Sequence, residues 1–234
     1  MSTAVTHTVD LAVSSLRELN AQLHALPSDA EPGELWRIVN PNGAHAGACG
    51  LDAPVEVRID GHVGYYCAGM NKTATVRIGG NAGPGVAENM MSGLVVVEGN
   101  ASQAAGATAH CGLLVVEGDA SSRCGISLKG GSIVVRGSVG PMCAFLAQSG
   151  AIVVCGDAGE ALGYSVYETH LYVRGAVAGL GADCVEKELR AVHRTELREL
   201  LDRAGAADLD VDDFRRYGSA RELYTFHVDH AGAY

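Results

Sequence analysis

A glycine returns every nineteen residues through the middle of this chain, at Gly61, Gly80, Gly99, Gly118, Gly137, Gly156 and Gly175. All but the second follow a short strand-like word: Val-Arg-Ile-Asp, Val-Val-Val-Glu, Leu-Val-Val-Glu, Ile-Val-Val-Arg, Ile-Val-Val-Cys or Leu-Tyr-Val-Arg. The second follows Val76-Arg77-Ile78-Gly79. A fixed period of this length marks a solenoid, in which each coil buries its apolar face on the next.

The columns of the repeat give the coil its inside and outside. Four residues before the glycine stand Val57, Val76, Val95, Leu114, Ile133, Ile152 and Leu171. Two before it stand Ile59, Ile78, Val97, Val116, Val135, Val154 and Val173. Positions two apart share one face of a strand, so both columns point inward. One after the glycine come His62, Asn81, Asn100, Asp119, Ser138 and Asp157, read as turn residues that bond their own backbone. Two after it come only Val or Ala. A second glycine column, Gly93, Gly112, Gly131 and Gly150, marks another corner.

Strands in adjacent coils must run parallel, and parallel crossovers are overwhelmingly right-handed. The expected fold is therefore all-β: a right-handed parallel β-helix of about seven coils. At the usual strand spacing seven rungs stand roughly 33 Å tall. The left-handed alternative is built from hexapeptides, and nineteen is not a multiple of six.

The boundaries follow from where the period stops. Residues 1–34 hold an N-terminal helix and linker, 35–184 the β-helix, and 185–234 a capping helix and docking tail. Residues 1–8 read as disordered. Leu16, Leu19, Leu23 and Leu26 recur at helical spacing behind a Ser15-x-x-Glu18 capping box, and Pro27 ends the run. Leu35 to Val39 reads as a strand. Glu186 to Arg203 reads as a helix with Leu189, Val192, Leu197, Leu200 and Leu201 on one stripe, placed to close the solenoid's open end. The tail from Val211 on carries Phe214, Tyr217, Leu223, Tyr224 and Phe226, and so is expected to be ordered against something.

Composition limits the function. Net charge is −10, which argues against a partner bound through phosphates, so no nucleic acid is expected. No apolar run reaches membrane-spanning length, and no signal peptide is recognisable. Seven cysteines without a CxxC pair fit a reducing cytoplasm.

Several residues could carry chemistry or contacts. Cys67, Cys124 and Cys143 share an inward column, six after the glycine, with Val86, Ala105 and Leu162. A metal or redox site is one reading; a ladder of small hydrophobes is the simpler one, since the spacing matches no zinc or iron–sulfur pattern. His227, Asp229 and His230 could ligate a metal but lack a further ligand. Gly79 to Gly85 resembles a phosphate loop without its Lys-Ser/Thr and reads as a coil corner. Neither a catalytic residue, a cofactor-binding residue nor a metal ligand is assigned.

Two groups remain as candidate interface or channel wall. One is Tyr65, Tyr66, Met70, Asn71 and Lys72 with Glu88, Asn89, Met90 and Met91, bulky or amide side chains where later coils have Ala, Thr and Ser. Local core filling is the plainer explanation. The other is the column three before the glycine, where Val96, Val115, Val134, Val153 and Tyr172 occupy an outward strand position. Either a helix of the same chain covers them or they form a patch for another protein.

Gly156-x-x-Gly159-x-x-x-Gly163 after Ile152-Val153-Val154 resembles the glycine motif (GXGXG) of the C-terminal β-helix domain of glutamate synthase's large subunit. Residues 61–72 (GHVGYYCAGMNK), 86–93 (VAENMMSG), 122–127 (SRCGIS) and 215–221 (RRYGSAR) are similar to the stand-alone form. That form is the β-helix subunit of N-methylglutamate synthase (methylamine–glutamate N-methyltransferase) and its GlxC-type relatives, and the likeness covers nearly the whole chain. The resemblance implies a scaffold subunit of a heteromeric complex in glutamate or methylamine metabolism. The partners it implies are a glutamine amidotransferase-like subunit and an FMN-binding synthase subunit with iron–sulfur clusters. It implies no cofactor in this chain. Two other readings of the fold stand beside it: the β-helix subunit of a formylmethanofuran dehydrogenase-like complex, and an autonomous carbohydrate-active β-helix enzyme. The low aromatic content, 5%, argues against the last.

Overall fold

The computed structural model describes residues 6–29 and 33–221. The chain winds as β1 (His7–Asp10), α1 (Leu16–His24), β2 (Leu35–Val39), β3 (Glu56–Asp60), β4 (Thr75–Ile78), β5 (Leu94–Val97), β6 (Leu113–Val116), β7 (Lys129–Val135), β8 (Ser149–Val154), β9 (His170–Val173), β10 (Cys184–Lys187), α2 (Ala191–Arg203) and β11 (Arg215–Ser219). One sheet holds all eleven strands, in the order β1 to β9, then β11, then β10. The first nine pair parallel, and from β3 onward Val57, Val76, Val95, Leu114, Ile133, Ile152 and Leu171 stack in register. This is a parallel β-helix with the coil length read from the glycines.

Both inward columns are fully buried, from Val57 and Ile59 to Leu171 and Val173. A second parallel ladder of single bridges joins Val63, Ala82, Ala101, Ala120, Val139, Ala158 and Val177, the Val-or-Ala column. Between these two walls the lumen is filled by side chains: Cys67, Val86, Ala105, Cys124, Cys143 and Leu162 form one buried stack within the main core. Any route past this protein would run outside the solenoid.

The period glycine is required by crowding. A Cβ on Gly80 would lie 2.7 Å from the Gly61 carbonyl carbon, and one on Gly156 2.8 Å from the Gly137 carbonyl. The glycine amides also bond from coil to coil, as from Gly118 to the Gly99 oxygen at 3.1 Å.

The polar column beside it works differently from expectation. These side chains bond the next coil, not their own backbone. The Asn81 N–H donates to His62 Nδ1 (2.9 Å), Asn100 N–H to Asn81 Oδ1 (2.9 Å) and Asp119 N–H to Asn100 Oδ1 (2.8 Å). Ser138 N–H donates to Asp119 Oδ1 (2.7 Å), Asp157 N–H to Ser138 Oγ (3.0 Å) and Ala176 N–H to Asp157 Oδ1 (2.7 Å). At about 0.5–1.5 kcal/mol net each, such bonds pin one coil to the next.

The third wall is not a strand. Five, seven and nine residues after the glycine the backbone is left-handed: Tyr66, Ala68 and Met70 have φ of 61, 55 and 55°, and Met142, Ala144 and Leu146 have 59, 61 and 54°. Left-handed φ costs an L-residue about 1–2 kcal/mol. Bonds between coils offset it, such as Ala87 N–H to Cys67 O (2.9 Å) and Ala144 N–H to Cys124 O (2.8 Å).

The ends close as follows. Ser15 and Glu18 form the expected capping box. Leu19 and Leu23 of α1 enter the main core, while Asn20 takes both the Ala46 carbonyl (2.9 Å) and the Ala48 N–H (3.0 Å). The left-handed wall thus finds its end partner in a side chain. His7 and Thr8, expected to be disordered, lie in β1 beside β2, as this strand's amides find partners there. At the other end the expected cap helix begins later, because Cys184–Lys187 is a strand. Antiparallel β11 and β10 cover the open edge of β9, and α2 lies on the outer face of the sheet. Of the tail, Phe214 and Tyr217 are buried; Leu223, Tyr224, Phe226 and the His227–Asp229–His230 group lie outside the described residues.

Candidate functional site

The valine column is covered by the chain itself. Val96, Val115, Val134, Val153 and Tyr172 form a second core with Leu197, Leu200, Leu201, Ala204 and Phe214. As a free patch for another protein these five residues are excluded, because α2 already removes them from water. On the earlier coils the same position holds Arg37, Arg58 and Arg77, paired with Asp60 and Glu56 and left in solvent.

The other candidate group divides. Asn71 and Met90 are fully buried, so neither can face a partner. The Asn71 Nδ2 donates to the Ala74 and Ser92 carbonyls at 2.8 and 3.2 Å, tying one coil's corner to the next. Tyr66, Glu88 and Asn89 are half-buried, and Asn89 joins Tyr66 Oη (3.4 Å) to Thr108 Oγ1 (2.6 Å) across three coils. Lys72 is exposed and bonded to Asp52 at 2.8 Å. Tyr65, Met70 and Met91 are the group's exposed apolar members, and Tyr65 packs on His45 with ring centres 4.4 Å apart.

Sequence reasoning missed a second exposed set on the same left-handed wall. Leu146, Tyr164 and Tyr167 stand in solvent near the other end. Coils between the two sets present Gln103, Thr108, Ser122, Arg123 and Ser127. The rungs of Met91 and Leu146 are three apart, roughly 14 Å. The repeat itself held the signal, since Met70 and Leu146 share one column, as do Met91 and Tyr167.

Burial pushes the Cys49 and Cys155 thiols up to about 11 and Cys67 higher still. The Cys143 thiol is raised by its hydrogen bond with Cys124 and by burial. Among the described residues no cluster of three His, Cys, Asp or Glu could hold a metal ion, and no helix is long and apolar enough to cross a membrane.

At the C-terminal end His170 Nδ1 lies 2.7 Å from Glu196 Oε2, and Tyr172 Oη donates to the same oxygen. Burial raises the Glu196 carboxyl, but the bonds from His170 and Tyr172 outweigh it and hold it below the usual range. Burial and the neighbouring Glu196 push the Tyr172 phenol far up. This trio fastens α2 to β9.

These features define a parallel β-helix chain that covers one outer wall with its own helix and leaves a second wall uncovered by any described residue. No family model matches it. It is 57% identical over 226 residues to Protein GlxC of Rhizobium meliloti (strain 1021), a span covering 97% of this chain and 99% of that protein. The chain belongs to the GlxC family.

Proposed function

We propose that this chain is a non-catalytic structural subunit of a cytoplasmic glutamate-synthase-type or N-methylglutamate synthase complex. In this reading it braces a glutamine amidotransferase-like subunit against an FMN-dependent, iron–sulfur-containing synthase subunit. Ammonia or methylamine nitrogen would be handled by those partners. The observation that carries the proposal is the pair of exposed apolar sets, Tyr65–Met70–Met91 and Leu146–Tyr164–Tyr167, at opposite ends of the uncovered wall. Aromatic and Met side chains are the types enriched at the centres of interfaces. Two sets on a rigid wall suit two partners held at a fixed spacing. Membership of the GlxC family and the resemblance of residues 61–72 and 86–93 to the N-methylglutamate synthase subunit support the same assignment.

Co-expression with the neighbouring reading frames tests it. A tagged chain should bring down a flavoprotein and an amidotransferase-like chain. Tyr65→Glu with Met91→Glu should release one partner, and Tyr164→Glu the other. A chain that purifies alone, or variants that keep both partners, would refute the proposal.

A further inference from the structure

A cavity of about 420 Å³ opens where the last coil meets the antiparallel strands, lined by Thr169, His170, Lys187, Arg216, Ser219 and Arg221 among others. Its cations are the unusual part. Arg221 is paired with Asp183, and His170 with Glu196. Lys187 and Arg216 have no carboxylate within 4.0 Å among the described residues, in a chain with 27 acidic against 17 basic side chains. They are also direct cross-strand partners in β10 and β11. Like charges placed opposite one another destabilise a strand pair. Glu168 is the one carboxylate among the lining residues, and it pairs with neither.

Two further atoms at this place are unsatisfied. Thr169 is 1% exposed, and its Oγ1 has no hydrogen-bond partner among the described residues; Arg216 Nε is buried and likewise without one there. Arg216 spends one Nη on the Glu188 carbonyl at 3.3 Å. Buried polar groups are nearly always satisfied, so each exception asks for an explanation. An anion between Lys187 and Arg216 would remove the like-charge cost and offer acceptor oxygens to the guanidinium.

We propose that this cavity is a binding site for a small molecule bearing an oxyanion group, held between Lys187 and Arg216 with Thr169 and Ser219 beside it. The volume lies within the range of small-molecule sites. A carboxylate and a phosphate present the same chemistry to this pair. Tyr167 of the second exposed set also borders the cavity, but the contacts proposed here, Lys187, Arg216, Thr169 and Ser219, belong to neither apolar set, so their substitution leaves the docking residues in place.

The test is calorimetric titration of the full chain with glutarate and with inorganic phosphate, at ionic strength matched with chloride. Direct heats are needed because phosphate stabilises folded proteins by exclusion alone. One saturable site is expected for at least one probe, with affinity reduced tenfold or more by Lys187→Gln and by Arg216→Gln, and unchanged by Lys129→Gln. Saturation by glutarate alone assigns a carboxylate ligand, and by phosphate alone a phosphate. Lys187→Gln should keep or raise the ligand-free unfolding midpoint, since it removes a like-charge pair; this separates lost binding from lost folding. Absence of saturation with both probes, or equal binding by both variants, overturns the site.

Discussion

Gly118→Ala probes the crowding that fixes the period. Its φ is ordinary, so strain in the backbone is not at issue; the added methyl meets Asn100 Oδ1 and lies 2.9 Å from the Gly99 carbonyl oxygen. Asn100 Oδ1 also accepts the Asp119 N–H at 2.8 Å, so relief by rotating Asn100 costs that bond. Overpacking costs about 1–3 kcal/mol, and the bond about 0.5–1.5 kcal/mol. Together they predict a loss of about 2–4 kcal/mol. Gly205→Ala is the contrast: nothing lies within 4 Å there, and its φ of +70° alone should cost about 1–2 kcal/mol. The assay is urea denaturation followed by far-UV circular dichroism. Asn100→Ala removes the struck oxygen, so the double variant Asn100→Ala/Gly118→Ala should lose less than the sum of the single changes. A Gly118→Ala midpoint within about 0.5 kcal/mol of the wild type, or strict additivity in the double variant, would refute the account of the glycine column.

Leu201→Ala, fully buried between α2 and the valine column, should cost about 2–5 kcal/mol; if α2 lifts, the exposed column should appear as dye binding or self-association in size-exclusion chromatography. Ser15→Ala removes the capping bond to the Glu18 N–H and should cost about 1 kcal/mol in the same denaturation assay. Cys49, Cys155 and Cys184 have thiols raised from 9.0 to about 11 by burial. Between those values the unfolded chain holds fewer protons than the folded one, so stability is full below pH 9 and should fall as pH rises towards 11; flat midpoints from pH 8 to 10.5 would contradict this. In the native state Cys111, the exposed thiol, should alkylate well before the six buried ones, as mass spectrometry after brief iodoacetamide treatment would show.

Much of this molecule is written in its repeat. Val57 and Ile59, two apart and repeated seven times, give strand, inward face and register together, and the structure pairs them accordingly. The left-handed wall is not announced that way, because Tyr66, Ala68 and Met70 are not turn formers. Its trace is the column seven after the glycine, which holds only Ala or Gly from Ala68 to Gly163. The valine column could be read two ways, since its cover, α2, is far along the chain. β10 and β11 fall outside the period, so Glu186 and Lys187, the second half of β10, passed for the start of a helix. The cationic cavity was hidden for the same reason: Lys187 and Arg216 are brought together only by that antiparallel pairing.

The side-chain ladder from His62 to Asp157 has a consequence for how such a chain can change its length. Each acceptor meets an amide nineteen positions later, so an inserted or deleted residue between two acceptors shifts one of them off its target and turns a strand inside out. Growth is tolerable where the ladder has not begun. The first coil shows this: the step from His7 to Trp36 spans 29 residues and holds all of α1. Homologues should therefore differ in size at the two ends, or by whole coils, and hardly at all between.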